Sequence, residues 1–237
     1  SEIIVAFLKN EEWLTRGVKN VTGLPRPVPY ELDLQNTQWF VSLADLINAN
    51  VIDLSSIFVK LLYAILFAMV LLVILWFSER ALQSPWGRMM RAIRDNASAA
   101  SAMGKDVKTE YLRVFVLGSA VVGIAGAMLT TFEGQFTPGT YQPLRFTFVI
   151  LVMVIVGGSG NNFGSILGAF LVWFLWIQSE PLGLWLIGSI TEELSSENFF
   201  KSHLLQGAAH MRMIVMGSIL LLVLRFSPQG LLPERHR

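Results

Sequence analysis

Cysteine is absent from this 237-residue chain, which excludes disulfides and thiolate metal sites and leaves the redox compartment open. Charge is scarce as well, at 15% of residues where an ordinary soluble domain carries about 25%. With a formal net charge of only +1, the composition gives no sign of nucleic-acid binding. No G-x-x-x-x-G-K-[ST] phosphate loop occurs: Gly104-Lys105 is followed by Asp106, and the run "GGSGNNFG" has no lysine to reach a phosphate. The three histidines, His203, His210 and His236, are scattered and have no carboxylates at ligand spacing, so they read as interfacial or tail residues rather than metal ligands. An enzyme is therefore disfavoured. No catalytic residue and no metal site is expected.

What the chain does have is apolar sequence in long runs. It is 53% hydrophobic with a mean hydropathy of +0.55, and the apolar residues are bunched into stretches near the roughly 20 residues that a helix needs to cross a bilayer. Ile57 to Phe77 is the clearest span, with Lys60 close enough to its end to snorkel. Val114 to Phe132 is a second. Gly118, Gly123 and Gly126 recur along it at close spacing, with Ser119 and Ala127, as in helices that pack closely inside a bundle. Gly207 to Phe226 forms a later span, with Arg212 near one end; a lipid-facing arginine is costly, so an interior or snorkelled place is expected.

Phe146 to Ile177 differs, because "FTFVILVMVIV" stops at "GGSGNNFG" before "SILGAFLVWFLWI" begins, and each piece alone is shorter than the bilayer. Gly160, Gly164 and Gly168, four apart, would form a packing groove if helical. Gly157, Gly158, Ser159, Asn161 and Asn162 also interrupt the run at expected membrane depth. Irregular backbone there must be buried in protein or line a wet cavity, since its polar groups cannot face lipid. Broken helices of this kind mark transport pathways. The expected pathway residues are thus Gly157, Gly158, Ser159, Gly160, Asn161, Asn162 and Gly164. The fold class that follows is all-α: a polytopic transmembrane helix bundle with a broken or re-entrant helix pair.

Charges in the connecting segments orient it. Residues 79–113 hold seven Lys/Arg and residues 225–237 hold three, whereas residues 10–56, 133–147 and 178–203 together hold five. Basic residues are retained on the cytoplasmic side, so the first two segments are placed inside. Residues 146–177 must then start and finish outside, as a hairpin or a re-entrant pair. The proline-rich "LPRPVP" cannot continue a helix and suits an extramembrane loop, and "VSLADLINANVIDLSSI" is loosely helical, as an interfacial helix would be. Ser1 is not an initiator methionine, and "SEIIVAFLKN" reads as the tail of an apolar helix whose beginning is missing.

The cytoplasmic segment carries the sharpest local pattern. Trp86, Met89, Met90 and Ile93 fall on one helical face, with Arg88, Arg91 and Arg94 on the other. The alanine-rich "ASAASAMGKDV" that follows favours helix but buries little, and Gly104 suits the left-handed residue that ends such a helix. A short, small-surfaced cytoplasmic helix is the shape that docks in another protein's groove; the alternative is a plain connecting turn.

These residues resemble a known family. "SPWGRMMRAIRDNASAASAMGKDVKTEYLRVFVLGSAVVGIAGAM", "FVILVMVIVGGSGNNFGSILGAF", "RFSPQGLLP" and "NEEWLTRGVKNVTGLPRP" together are similar to the permease subunits of branched-chain amino acid ABC importers, urea and short-amide permeases included. The resemblance implies one N-terminally truncated permease domain over 1–237, a periplasmic loop over 10–56 and a cytoplasmic coupling loop over 79–113. It further implies a multi-pass protein of the bacterial inner membrane that partners a homologous permease subunit, two ATP-binding subunits and a periplasmic binding protein. ATP would be bound in those subunits, with no cofactor in this chain. ABC permeases present a Glu-Ala-Ala, three residues, Gly pattern to the ATPase. Ala99, Ala100 and Gly104 match that spacing, while Ser98 stands where the acidic residue would be and Asp95 lies three residues earlier. Arg94, Asp95, Ala99, Ala100, Gly104 and Lys105 are thus the expected coupling residues. A ribose-type permease and an ion-coupled secondary transporter are the alternatives; the latter should bury ionisable residues, and Val114 to Phe132 and Phe148 to Ile177 contain none.

Overall fold

The computed structural model describes residues 2–11, 21–137, 143–190 and 211–233. The expected histidines His203, His210 and His236 lie outside them. The chain divides into two compact units, Ser1–Thr140 and Tyr141–Arg237, and among the described residues the elements are helices apart from one two-residue strand pair.

In the first unit, α1 (Glu2–Asn10) is followed by β1 (Val21–Thr22), α2 (Glu31–Gln35), α3 (Gln38–Ile47) and the long α4 (Val51–Gln83). The expected interfacial helix is therefore two elements: Asn48 takes a left-handed φ of 52° that ends α3, and Asn50 caps α4 by accepting from the Ile52 N–H at 3.1 Å. The membrane helix starts six residues before Ile57. Its 33 residues would run about 50 Å. The early start is a packing effect, since Phe40 from α3 and Leu34 from α2 bury with Val59 and Tyr63 of α4, against Val51, Leu54 and Phe58. Gln35 donates to the Ser55 hydroxyl at 2.8 Å, which satisfies a fully buried serine.

Two short helices, α5 (Pro85–Asp95) and α6 (Ala97–Ala102), lead into α7 (Val107–Glu133). At its far end α7 returns to α4: Tyr63 donates its hydroxyl to the Thr131 carbonyl at 3.2 Å, and Phe132 stands edge-on to Tyr63 with centroids 5.3 Å apart. β2 (Gln135–Phe136) then pairs antiparallel with β1. Between its ends α7 is bare, for none of its most apolar stretch is buried. A Cβ built on Gly118, Gly123 or Gly126 would meet nothing within 4 Å. The interior packing expected for Val114 to Phe132 is thus not made within this unit.

The second unit is a hairpin with a third helix laid along it: α8 (Pro143–Gly157), α9 (Asn162–Ile190) and α10 (Met211–Phe226). Val149, Val152 and Val156 of α8 bury with Val172 and Trp176 of α9 and Met216 of α10. Here the sequence reading needs two corrections. The second apolar piece is not shorter than the bilayer, because α9 runs 29 residues and continues through Pro181. Glu180, counted with an outer loop, lies inside that helix. Among the described residues three helices, Val51–Gln83, Val107–Glu133 and Asn162–Ser189, are long and apolar enough to cross a membrane.

Candidate functional site

The loop joining α4 to α7 is built from local caps. Ser84 closes α4 and opens α5, its hydroxyl accepting from the Gly87 N–H at 3.3 Å. A Cβ on Gly87 would lie 2.4 Å from the Leu82 carbonyl oxygen, so this corner admits no side chain. Asn96 opens α6 by accepting from the Ala99 N–H at 2.9 Å. The helix ends in a Schellman turn: the Lys105 N–H donates to the Ala100 carbonyl and the Gly104 N–H to that of Ser101, with Gly104 at φ +80°. Asp106 then caps α7, accepting from the Thr109 N–H at 3.2 Å and its hydroxyl at 2.6 Å. That hydroxyl, with the Thr109 N–H, holds the Asp106 carboxyl below its ordinary range.

Of the expected coupling residues, Arg94, Asp95, Ala99, Gly104 and Lys105 are exposed, and Ala100 is buried. The Asp95 carboxylate sits 3.2 Å from the Arg94 guanidinium on the surface. Sequence reasoning passed over Glu110. It is buried one turn into α7, where it accepts a hydrogen bond from the Trp86 indole N–H of α5 at 2.8 Å and a second from Arg113. A hydrogen bond to a charged acceptor contributes about 1.5–3 kcal/mol. The one available signal was Glu110-x-x-Arg113 at the mouth of an otherwise uncharged span, a helical i,i+3 pair.

The glycine break is a tight turn between antiparallel helices. A Cβ on Gly168 would lie 2.1 Å from the Met153 carbonyl oxygen, and one on Gly157 2.0 Å from that of Gly164, so α8 and α9 touch backbone to backbone. Gly158 and Gly160 carry φ of +117° and +99°. Asn161 opens α9, its side-chain oxygen accepting from the Phe163 N–H at 3.0 Å and the Gly164 N–H at 3.3 Å. Its amide donates to the Pro233 carbonyl at 3.3 Å. The segment after α10 crosses this turn: Leu231 and Leu232 donate to the carbonyls of Val156 and Gly157 at 2.9 and 3.0 Å. Seven expected pathway residues thus share one turn, of which Ser159 and Gly160 are exposed, Gly157, Gly158 and Gly164 buried, and Asn161 and Asn162 partly buried.

At the hairpin's other end Glu180 of α9 accepts from Arg212 of α10, and the guanidinium lies 5.8 Å over the Trp176 ring. Arg212 is therefore half-buried against α9 rather than turned fully into the packing. Among the described residues no cluster of His, Asp or Glu is placed to hold a metal ion.

A chain with these helices is a polytopic helical membrane protein, and its sequence relatives define the class. It belongs to the family described as branched-chain amino acid transport system / permease component, whose model matches residues 4–224. It is similar to the high-affinity branched-chain amino acid transport system permease protein LivM of Escherichia coli K12, 25% identical over 98% of this chain and 48% of that protein. The probable LivM of Methanocaldococcus jannaschii is 27% identical over 67% of this chain and 43% of that one. LivH of Salmonella typhimurium is 24% identical over 95% and 60%. The chain spans about half the length of the curated LivM relatives it matches. No solved structure matches.

Proposed function

We propose that this chain forms part of the permease subunit of a binding-protein-dependent ABC importer in a bacterial inner membrane, carrying branched-chain or other amino acids. Two ATP-binding subunits would supply the energy, a periplasmic protein would deliver the substrate, and a homologous permease subunit would complete the path; the similarity to both LivM-named and LivH-named proteins supports such a pairing. The chain itself performs no bond chemistry. Urea and short amides are the competing substrates.

The observation that carries this reading is α6. It is a six-residue helix capped at both ends, exposed at Ser98, Ala99, Ser101 and Ala102 and in the turn at Gly104 and Lys105 that follows it, and placed between two helices of spanning length. ATP binding would draw the ATPases together and displace α6, and that displacement would tilt the spans and alternate access to the path. In the second unit, Ser159 and Gly160 are the pathway residues free to meet a polar solute. Asn161 would hold the turn that presents them.

The test is the assembled transporter in proteoliposomes, with ATP hydrolysis and uptake of radiolabelled leucine, urea and acetamide measured in parallel. Ala100→Trp or Gly104→Pro should abolish binding-protein-stimulated hydrolysis and uptake while membrane insertion is kept. Unchanged hydrolysis and uptake in both variants would remove α6 from the coupling path.

A further inference from the structure

We infer that Glu110 is a positioning residue for coupling: its hydrogen bond from Trp86 closes the loop between α5 and α7 into a ring with α6 at its tip, so that α5 and α7 move together when α6 is pushed. The inference rests on the permease reading above and deepens it.

Among the described residues Glu110 is the only buried carboxylate, and no Lys, Arg or His is buried with it; Ser55, Ser179 and the Tyr63 phenol are the other buried polar groups. Burying a carboxylate is costly unless hydrogen bonds compensate it, and here both oxygens are used, one by the Trp86 indole N–H and one by Arg113. The Trp86 bond spans 24 residues of sequence. Everything between, including α6 and its caps, forms the ring that this contact closes. Beyond its base α7 is bare along its apolar stretch, and its next side-chain bond to α4 within this unit is made by Tyr63 at the far end. A push on α6 can therefore enter α7 through the chain from Met103 to Asp106, where α6 packs against α7, and through Glu110. If Glu110 lets go, α5 and α7 separate, and the push is absorbed by flexing around Asn96 and Gly104 rather than tilting the span.

Three variants of the assembled transporter test this: Trp86→Phe, which keeps the ring packing and loses the N–H; Glu110→Leu, which loses the acceptor; and Glu110→Gln, which keeps an accepting oxygen. The readout is leucine taken up per ATP hydrolysed, alongside permease–ATPase association. Trp86→Phe and Glu110→Leu should lower that ratio several-fold with association and hydrolysis retained. The double variant should be no worse than the worse single one, and Glu110→Gln should stand near wild type. The inference is overturned if Trp86→Phe leaves the ratio unchanged, if the two losses multiply, or if Glu110→Gln fails as badly as Glu110→Leu. Should Glu110→Leu fail to insert, Trp86→Phe and Glu110→Gln still decide the matter. A wild-type chain that neither associates with nor stimulates an ATPase overturns the permease reading itself, an outcome distinguishable because no variant is needed to see it.

Discussion

Gly230 lies directly on Gly158: a Cβ built on Gly230 would come within 2.3 Å of the Gly158 Cα, and both residues have positive φ, +78° and +117°. The contact lets the segment after α10 cross the α8–α9 turn and donate its Leu231 and Leu232 N–H groups to carbonyls that the end of α8 leaves open. Gly230→Ala should therefore cost more than the about 1–2 kcal/mol of left-handed backbone alone, because the methyl also collides with main chain that cannot turn aside. Thermal unfolding in detergent should show a lowered Tm, and protease should reach the tail sooner. Gly217→Ala in α10, where a Cβ meets nothing within 4 Å, is the control and should be neutral or slightly stabilising.

Asp106 ties the α6–α7 junction to pH. Its carboxyl is held low by the Thr109 hydroxyl and N–H, and the group is fully exposed. A lowered folded-state pKa means that the charged cap adds stability above the ordinary carboxylate range, and that this is lost as pH falls through the lowered value. Amide exchange at Thr109, corrected for its intrinsic pH dependence, should stay protected from neutral pH down to the ordinary aspartate range and loosen only below it. Asp106→Ala should exchange several-fold faster already at neutral pH and lose that acid step. An acid step at mildly acidic pH would show that the cap is not what holds the junction.

How much of this was legible in the sequence depended on how far apart the partners are. The fold of the loop joining α4 to α7 was readable because its signals are local: apolar spacing from Trp86 to Ile93, alanines for α6, and Gly104 where the helix must stop. Asn96 and Asp106, whose caps satisfy backbone two or three residues ahead, are of the same kind. The start of α4 was not readable, since Asp53, Ser55 and Ser56 read as the end of a separate interfacial helix until Gln35 bonds Ser55 and Phe40 packs on Val59 and Tyr63 of the same helix. The glycine break announced close packing by its spacing, but the segment that crosses it comes from some 70 residues later, and no periodicity reports that. Glu110 was hidden because its local pairing with Arg113 looks like an ordinary surface charge pair at the mouth of a span, while its indole partner is 24 residues back.

Glu180 was misread for the same reason, and its pairing with Arg212 makes a separate prediction. Composition alone puts a glutamate beside a proline in a loop; in the fold it sits inside α9 and accepts from Arg212, 32 residues on. The arginine's Nε is buried without a partner, so its stability rests on Glu180 and on the Trp176 ring face. The two side chains are 33% and 37% exposed, so removing one member leaves a partly hydrated charge without its partner, at a cost of about 0–1 kcal/mol, whereas replacing both with apolar residues leaves no unpaired charge. Glu180→Leu should lower the Tm of the detergent-solubilised protein, and Arg212→Leu should do so too. Glu180→Leu combined with Arg212→Leu should recover most of the loss. A double variant that simply adds the two single losses would show that the charges act separately, and that the α9–α10 packing is set by Val172, Trp176 and Met216 alone.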